Sequence, residues 1–224
     1  MIRTRSYFST PYLCGAARFA RDALAIETGV SVADIDAITH RAFVVASVTS
    51  AAAALESMIN EIFCDANEPD GSCIAGLSAE VQGKLATIWA IPKTSAYPIL
   101  DKFDVAHLLI TGKGLDRSHH SWRNATWLVR LRNDFVHFEP TWATHSAQSS
   151  PAQSDANKIE RALRGAFPEN PLAGSGNAFF PDKLLGHGCA AWAVVSALEF
   201  ADNFWSSISA IPHYQAYRHM FVPR

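Results

Sequence analysis

The residues best suited to chemistry fall in one stretch, Trp127 to Pro140, where Arg132, Asn133 and His137 interrupt an apolar helical pattern. A guanidinium can grip phosphoryl oxygens in bidentate fashion, and an imidazole can give or take a proton near neutral pH. Leu128, Leu131, Phe135 and Phe138 recur at three- and four-residue steps, which predicts a buried stripe with Asn133 and His137 one turn apart on a neighbouring face. Pro140 must stop this helix, so His137 is expected in its last turn, where the carbonyl end of the dipole favours a protonated ring. In a continuous helix Arg132 and His137 stand roughly 140° apart and do not share a face. Arg130, seven residues from His137, does share it. Arg130, Asp134 and His137 are related by four and three residues, so an ordinary helix ion pair with the histidine as neighbour is the purely structural reading of the same residues.

The elements that must position this stretch read as helices. Ser31 and Asp34 make a cap, and Ile35, Ile38, Ala42, Val45, Val48, Ala52, Leu55, Ile59 and Ile62 mark one stripe of a long helix over about 31–65. Ala51 to Ala54 form a slim section that lets a partner helix approach closely, and Glu56 and Asn60 lie one turn apart beside the stripe. That pair is read as solvated or as an inter-helix hydrogen-bonding pair, with a polar site as the alternative. After the turn Asn67-Glu-Pro-Asp-Gly71, Ser78 opens a helix over 78–90 that breaks before Pro92. A third spans 97–110, with Ile99, Phe103, Ala106 and Ile110 inward, and ends at Thr111-Gly-Lys-Gly114. The helix with the polar stretch covers 120–139, and a last one over 182–209 carries Leu185, Gly188, Trp192, Val195, Leu198, Ala201, Trp205 and Ile208. Gly15 to Ile26 predicts a short further helix with Arg18 and Arg21 on a solvated side, ended by Gly29. Residues 141–157, rich in Ser, Ala, Gln and Thr, are expected to be a mobile loop leading to a short helix at about 154–167. A second loop follows from Pro168 to Pro181, whose Gly174-Ser-Gly176 lacks the spacing and strand of a phosphate loop. No strand pattern and no repeat appear, so the expected class is all-α, an up-and-down bundle of four to five helices in a single domain over 1–224.

Composition agrees with an ordinary soluble globule, since 224 residues with 49% apolar content are ample for one core. The net charge of −2 does not announce a nucleic-acid binder, yet Lys113 to Arg132 holds Lys113, Arg117, Arg123, Arg130 and Arg132 against Asp116 alone. Asp34 to Asp70 carries seven acids against Arg41, which predicts a negative surface there. Four scattered cysteines, Cys14, Cys64, Cys73 and Cys189, with no Cys-x-x-Cys, are expected as reduced thiols in the cytoplasm. Pro11 and Arg18 interrupt the apolar residues near the start, so neither a secretory signal nor a spanning helix is expected, and no membrane partner. His119, His120 and His145 have no carboxylate or Cys at ligand spacing, so no metal is expected, and no motif calls for a cofactor. Trp122, Trp127 and Trp142 read first as core aromatics and second as platforms for unpaired bases.

Arg132-Asn133-Asp134-Phe135-Val136-His137 resembles the Arg-x4-His signature of HEPN domains, including the polar residue that follows the arginine. The surrounding order is also similar: a long helix flanked by Leu55-Glu56 and Asn60-Glu61 upstream, a helix-loop unit before the motif and an aromatic-rich helix after it, over about residues 35 to 208. The resemblance implies a HEPN-like helical bundle that dimerises to build its site and acts as a metal-independent endoribonuclease, as a toxin or defence effector, with an antitoxin as a partner. It implies that Arg132 would hold the scissile phosphate, that His137 would act as general acid or base, and that Asn133 would orient one or the other. The helix-end position tilts His137 toward the acid or phosphate-binding role. Lys113, Arg117 and Arg123 would contact RNA, with Arg130, Asp134, Glu56 and Asn60 in supporting or alternative roles. Two copies of the helix meeting across a two-fold axis would resolve the angular separation of Arg132 and His137. The alternative is a non-catalytic module of the same kind that binds RNA, a nucleotide or a protein. Enzymes of other classes have no support, for there is no Gly-Lys-Ser/Thr loop, no His-Glu-x-x-His and no Gly-x-Ser-x-Gly.

Overall fold

A computed structural model describes residues 4–29, 37–70, 72–139 and 158–224, and everything below concerns these. The cap at Ser31, Ile35, the loop at 141–157, His145 and Trp142 lie outside them. The chain is all-α, with no strand among the described residues. Its helices are α1 (Ser9–Glu27), α2 (Ala37–Asp65), α3 (Ala79–Ala90), α4 (Ile99–Thr111) and α5 (His120–Val136). A short helical segment at 158–163 (α6) and α7 (His187–Ser207) follow, and a 3₁₀ helix over His213–Phe221 closes the chain.

The core is laid down by α1, α2 and α7. Expected as a short helix over Gly15 to Ile26, α1 starts six residues earlier and buries Leu13, Ala16, Ala17, Ala20 and Ala23 against α2 and α7. Pro11 falls in its first turn, where the missing N–H would have had no helical acceptor, so it does not block the helix. No side chain at the N-cap closes that end. The Glu61 carboxylate of α2 does so, accepting the N–H groups of Phe8 at 2.7 Å and Ser9 at 2.9 Å, and the Ser9 hydroxyl at 2.6 Å. The small residues allow the helices to touch: Ser47 Oγ donates to the Ala16 carbonyl at 2.9 Å and lies 3.3 Å from the Ala190 carbonyl, so one hydroxyl reaches both neighbouring backbones. Arg21 is not simply solvated, because it donates to the Val222 carbonyl at 2.6 Å and holds the C-terminal segment on α1.

The phase of the long α2 differs from expectation in its first half. Ile38 is 75% exposed and Ala42 is exposed, while His40, Val44 and Ser47 face inward. Polar side chains hold that register: His40 Nε2 meets Glu27 Oε1 at 2.8 Å, and the same oxygen accepts the His187 N–H at 2.6 Å, joining the ends of α1 and α7. From Val48 onward the stripe is buried as expected. The helix is long and apolar enough to cross a membrane by length and composition, with half of its most apolar window buried by its neighbours.

The outer helices follow their local signals. Ser78 caps α3 by accepting the Val81 N–H at 3.3 Å, and Gly112 ends α4 in the left-handed conformation at φ 77°. Phe103 of α4 meets Phe200 and Phe204 of α7 edge to face, each at 4.9 Å between centroids. In α7 the buried face is Cys189, Ala190, Ala193, Val194, Ala197, Phe200, Ala201 and Phe204, and Val195, expected inside, is exposed. Gly188 is needed for a different reason than its place in a stripe: a Cβ there would sit 2.3 Å from the Pro168 carbonyl oxygen, because the segment after α6 crosses the start of α7 in direct contact.

Candidate functional site

The end of α5 departs from the sequence expectation. Its last helical residue is Val136, and His137 is the C-cap, with its N–H donating to the Asn133 carbonyl at 2.9 Å. The helix thus ends three residues short of 139, and the proline at 140 disfavours a helical conformation at Glu139. Leu128 and Leu131 are buried as expected, but Val136 and Phe138 are 58% and 51% exposed, so the stripe leaves the core one turn early. Phe135 is half-buried and stacks on Phe180 at 6.4 Å.

Arg132 and His137 part company on this helix. The half-sheltered Arg132 side chain turns toward α2, where its Nη2 lies 3.4 Å from Glu56 Oε2. Its buried Nε has no hydrogen-bond partner among the described residues. Asn133 and His137 are exposed, and Asp134 is half-buried. Arg130 lies over the Trp127 ring at 5.2 Å. The structure therefore gathers Arg132 with Glu56 and leaves His137 at the open end of α5.

Behind Arg132 lies a residue that the sequence reading did not single out. Lys102 of α4 has a fully buried side chain, whose Nζ donates to Asn60 Oδ1 at 2.8 Å and to the Ser95 carbonyl at 3.1 Å. Glu56 Oε1 stands 3.9 Å from the same ammonium. Burial pushes the Lys102 pKa below its ordinary value, and the charge of Glu56 pulls it partly back. Glu56 and Asn60 both reach Lys102 of α4, so the two residues serve as an inter-helix contact between α2 and α4. The signal for Lys102 was present: it lies three residues after Ile99 and four before Ala106, inside the apolar register of α4.

The acids of α2 are largely engaged, which corrects the expectation of a negative face along this helix. Asp65 meets Arg5 Nη1 at 2.5 Å and the Tyr7 hydroxyl at 3.1 Å, and burial raises its pKa against the opposing pull of both. Among the basic candidates, Arg117 meets Asp104 Oδ2 at 2.7 Å and lies over Trp122 at 5.2 Å. Lys113 and Arg123 are exposed. Trp122 and Trp127 pack on the core, as their first reading held. His119 caps α5 and its Nδ1 lies 2.8 Å from Ser121 Oγ, while His120 Nε2 is 3.7 Å from Glu199. Among the described residues no group of three side chains is arranged to hold a metal ion.

Comparison with known proteins finds no matching family model, no matching curated protein and no matching solved structure. The fold and the site define an all-α protein with a buried lysine, a shared glutamate and a half-sheltered arginine at the junction of α2, α4 and α5.

Proposed function

We propose that this protein is a HEPN-like, metal-independent endoribonuclease that works as a homodimer, with Arg132, Asn133 and His137 as its chemical residues. The observation that carries the reading is the state of Arg132: its guanidinium is half-sheltered and held by one partly exposed carboxylate at 3.4 Å, a contact loose enough for a phosphodiester oxygen to replace. Asn133 and His137 are exposed toward the end of the same helix, and a second copy of α5 across a two-fold axis would bring its own His137 to Arg132. In the reaction an imidazole removes the ribose 2′-hydroxyl proton and the 2′-oxygen attacks phosphorus. Arg132 stabilises the charge on the phosphoryl oxygens, and a second, protonated imidazole delivers a proton to the departing 5′-oxygen. The products are a 2′,3′-cyclic phosphate and a 5′-hydroxyl. Two copies of His137 across a two-fold axis supply the base and the acid. Exposed Lys113 and Arg123 are suited to the flanking phosphates, whereas Arg117 must first loosen its pair with Asp104. A toxin or defence role in the cytoplasm, restrained by an antitoxin protein, belongs to the same reading.

One observation favours the non-catalytic alternative. The Arg132–Glu56 contact joins α5 to α2, as a purely structural ion pair would. The two separate when wild type, Arg132→Ala and His137→Ala are incubated with a structured RNA in excess EDTA and the fragment ends are analysed. Cleavage by wild type alone, leaving cyclic phosphates, is the expected result. Equal behaviour of all three proteins, with both variants folded, moves the assignment to a binding module.

A further inference from the structure

Glu56 is asked to serve two cations. Lys102 spends two of its three donors on neutral oxygens, those of Asn60 and Ser95, and its buried charge faces the Glu56 carboxylate at 3.9 Å. The other oxygen of that carboxylate faces Arg132 at 3.4 Å. One acid between two bases leaves the group with a net positive charge, and Arg132 is the member of the two bases that reaches solvent. Without Lys102, Glu56 would neutralise Arg132 outright and would repel any anion approaching it. An ammonium sealed behind the carboxylate offsets that repulsion without competing for the ligand.

We propose that Lys102 is a positioning residue for phosphate recognition: it occupies the Glu56 carboxylate from the buried side, so that Arg132 stays available to the phosphodiester of a single-stranded RNA. This rests on the ribonuclease reading for the identity of the anion, and it adds a residue that does not touch the substrate. Asn60 and the Ser95 carbonyl then have a defined task, which is to fix the ammonium behind Glu56. The arrangement reads as a two-layer device in which the outer cation binds and the inner cation cancels the charge of the acid between them.

The test is equilibrium binding, by fluorescence anisotropy, of a labelled single-stranded RNA carrying 2′-O-methyl groups throughout, which cannot undergo 2′-hydroxyl attack. Lys102→Met is expected to raise the Kd about fivefold, the size of one partly exposed charge interaction. Glu56→Gln alone is expected to lower it by about the same factor, and Lys102→Met combined with Glu56→Gln to return it to within about twofold of wild type. A merely structural lysine would not be rescued by removing the glutamate's charge. Binding that Arg132→Ala weakens but Lys102→Met leaves unchanged, or a double variant that fails to recover, overturns the assignment of Lys102 alone. Should Lys102→Met fail to fold by circular dichroism, Glu56→Gln decides: tightening supports the proposal, and unchanged or weaker binding overturns it. If Arg132→Ala does not alter binding, the ribonuclease reading loses its phosphate-binding residue and the role of Lys102 falls with it.

Discussion

Replacing Glu61 with alanine should loosen α1 from the rest of the molecule, because that one carboxylate closes the start of a helix with no cap of its own. Three donors converge on it: the N–H groups of Phe8 and Ser9 and the Ser9 hydroxyl, at 2.6 to 2.9 Å. A lost N-cap costs about 0.5–2 kcal/mol and a hydrogen bond to a charged group about 1.5–3 kcal/mol, but these values do not add within one group. Glu61 is only half-buried, so water can replace part of what is lost, and the expected cost is about 2 kcal/mol. For a chain of this size that corresponds to a fall in Tm of about 4–8 °C. Glu61→Gln, which keeps one acceptor oxygen, should lose roughly half as much. Urea denaturation followed by circular dichroism reads the change, and limited proteolysis should cut first within residues 4–29 of the alanine variant. A Glu61→Ala protein within about 0.5 kcal/mol of wild type would refute the capping argument, since the helix end would then be satisfied by solvent alone.

Two further outcomes follow from the structure. Gly188→Ala should destabilise by about 1–2 kcal/mol, the added methyl meeting the Pro168 carbonyl oxygen at 2.3 Å and outweighing the helix-propensity gain, whereas Gly83→Ala, with nothing within 4 Å, should stabilise by about 0.5–1 kcal/mol; chemical denaturation of the two variants checks the contrast. Burial places the Lys102 pKa in the folded state below the unfolded value near 10.5, so between those two values the unfolded chain binds more protons and wild-type stability should rise with pH relative to Lys102→Met; parallel stability curves for the two proteins at alkaline pH would contradict it.

Where the local chemistry was decisive, the sequence was legible. Ser78 caps α3, Gly112 supplies the positive φ that ends α4, and Ile99, Phe103 and Ala106 of α4 face inward as their spacing required. Legibility failed where the buried groups are small or polar. The inner face of α1 is one leucine and four alanines, so its periodicity carries little hydrophobic contrast although it is among the most sheltered surfaces in the molecule. In the first half of α2 the larger apolar residue, Ile38, points out, and a histidine and a serine point in, because each finds a specific partner on α1 that only the tertiary structure supplies. Lys102 was passed over for the same reason: a lysine in an apolar register is normally a register error, unless acceptors are supplied by the fold, as they are by Asn60 of the distant α2 and by the Ser95 carbonyl just before α4.

The charge of the long helix shows how these levels connect. Its acidic residues, spaced along the last three turns of α2, suggest a repulsive face when they are counted along the chain. In the fold they are divided among distinct tasks: Glu56 between Lys102 and Arg132, Glu61 on the start of α1, Asp65 on Arg5 and Tyr7. Each acid thereby becomes a connector between α2 and another segment, with Glu56 still partly in water. On the proposed function the consequence reaches the candidate site, because the repulsion that α2 would otherwise exert on an RNA would be cancelled locally rather than by a global excess of basic residues. A chain with a net charge of −2 can then present cationic side chains near the end of α5, provided that its carboxylates are held by partners behind the binding surface. Lys102, buried and without access to a ligand of its own, is the residue through which the proposed arrangement would depend on the fold and not on composition.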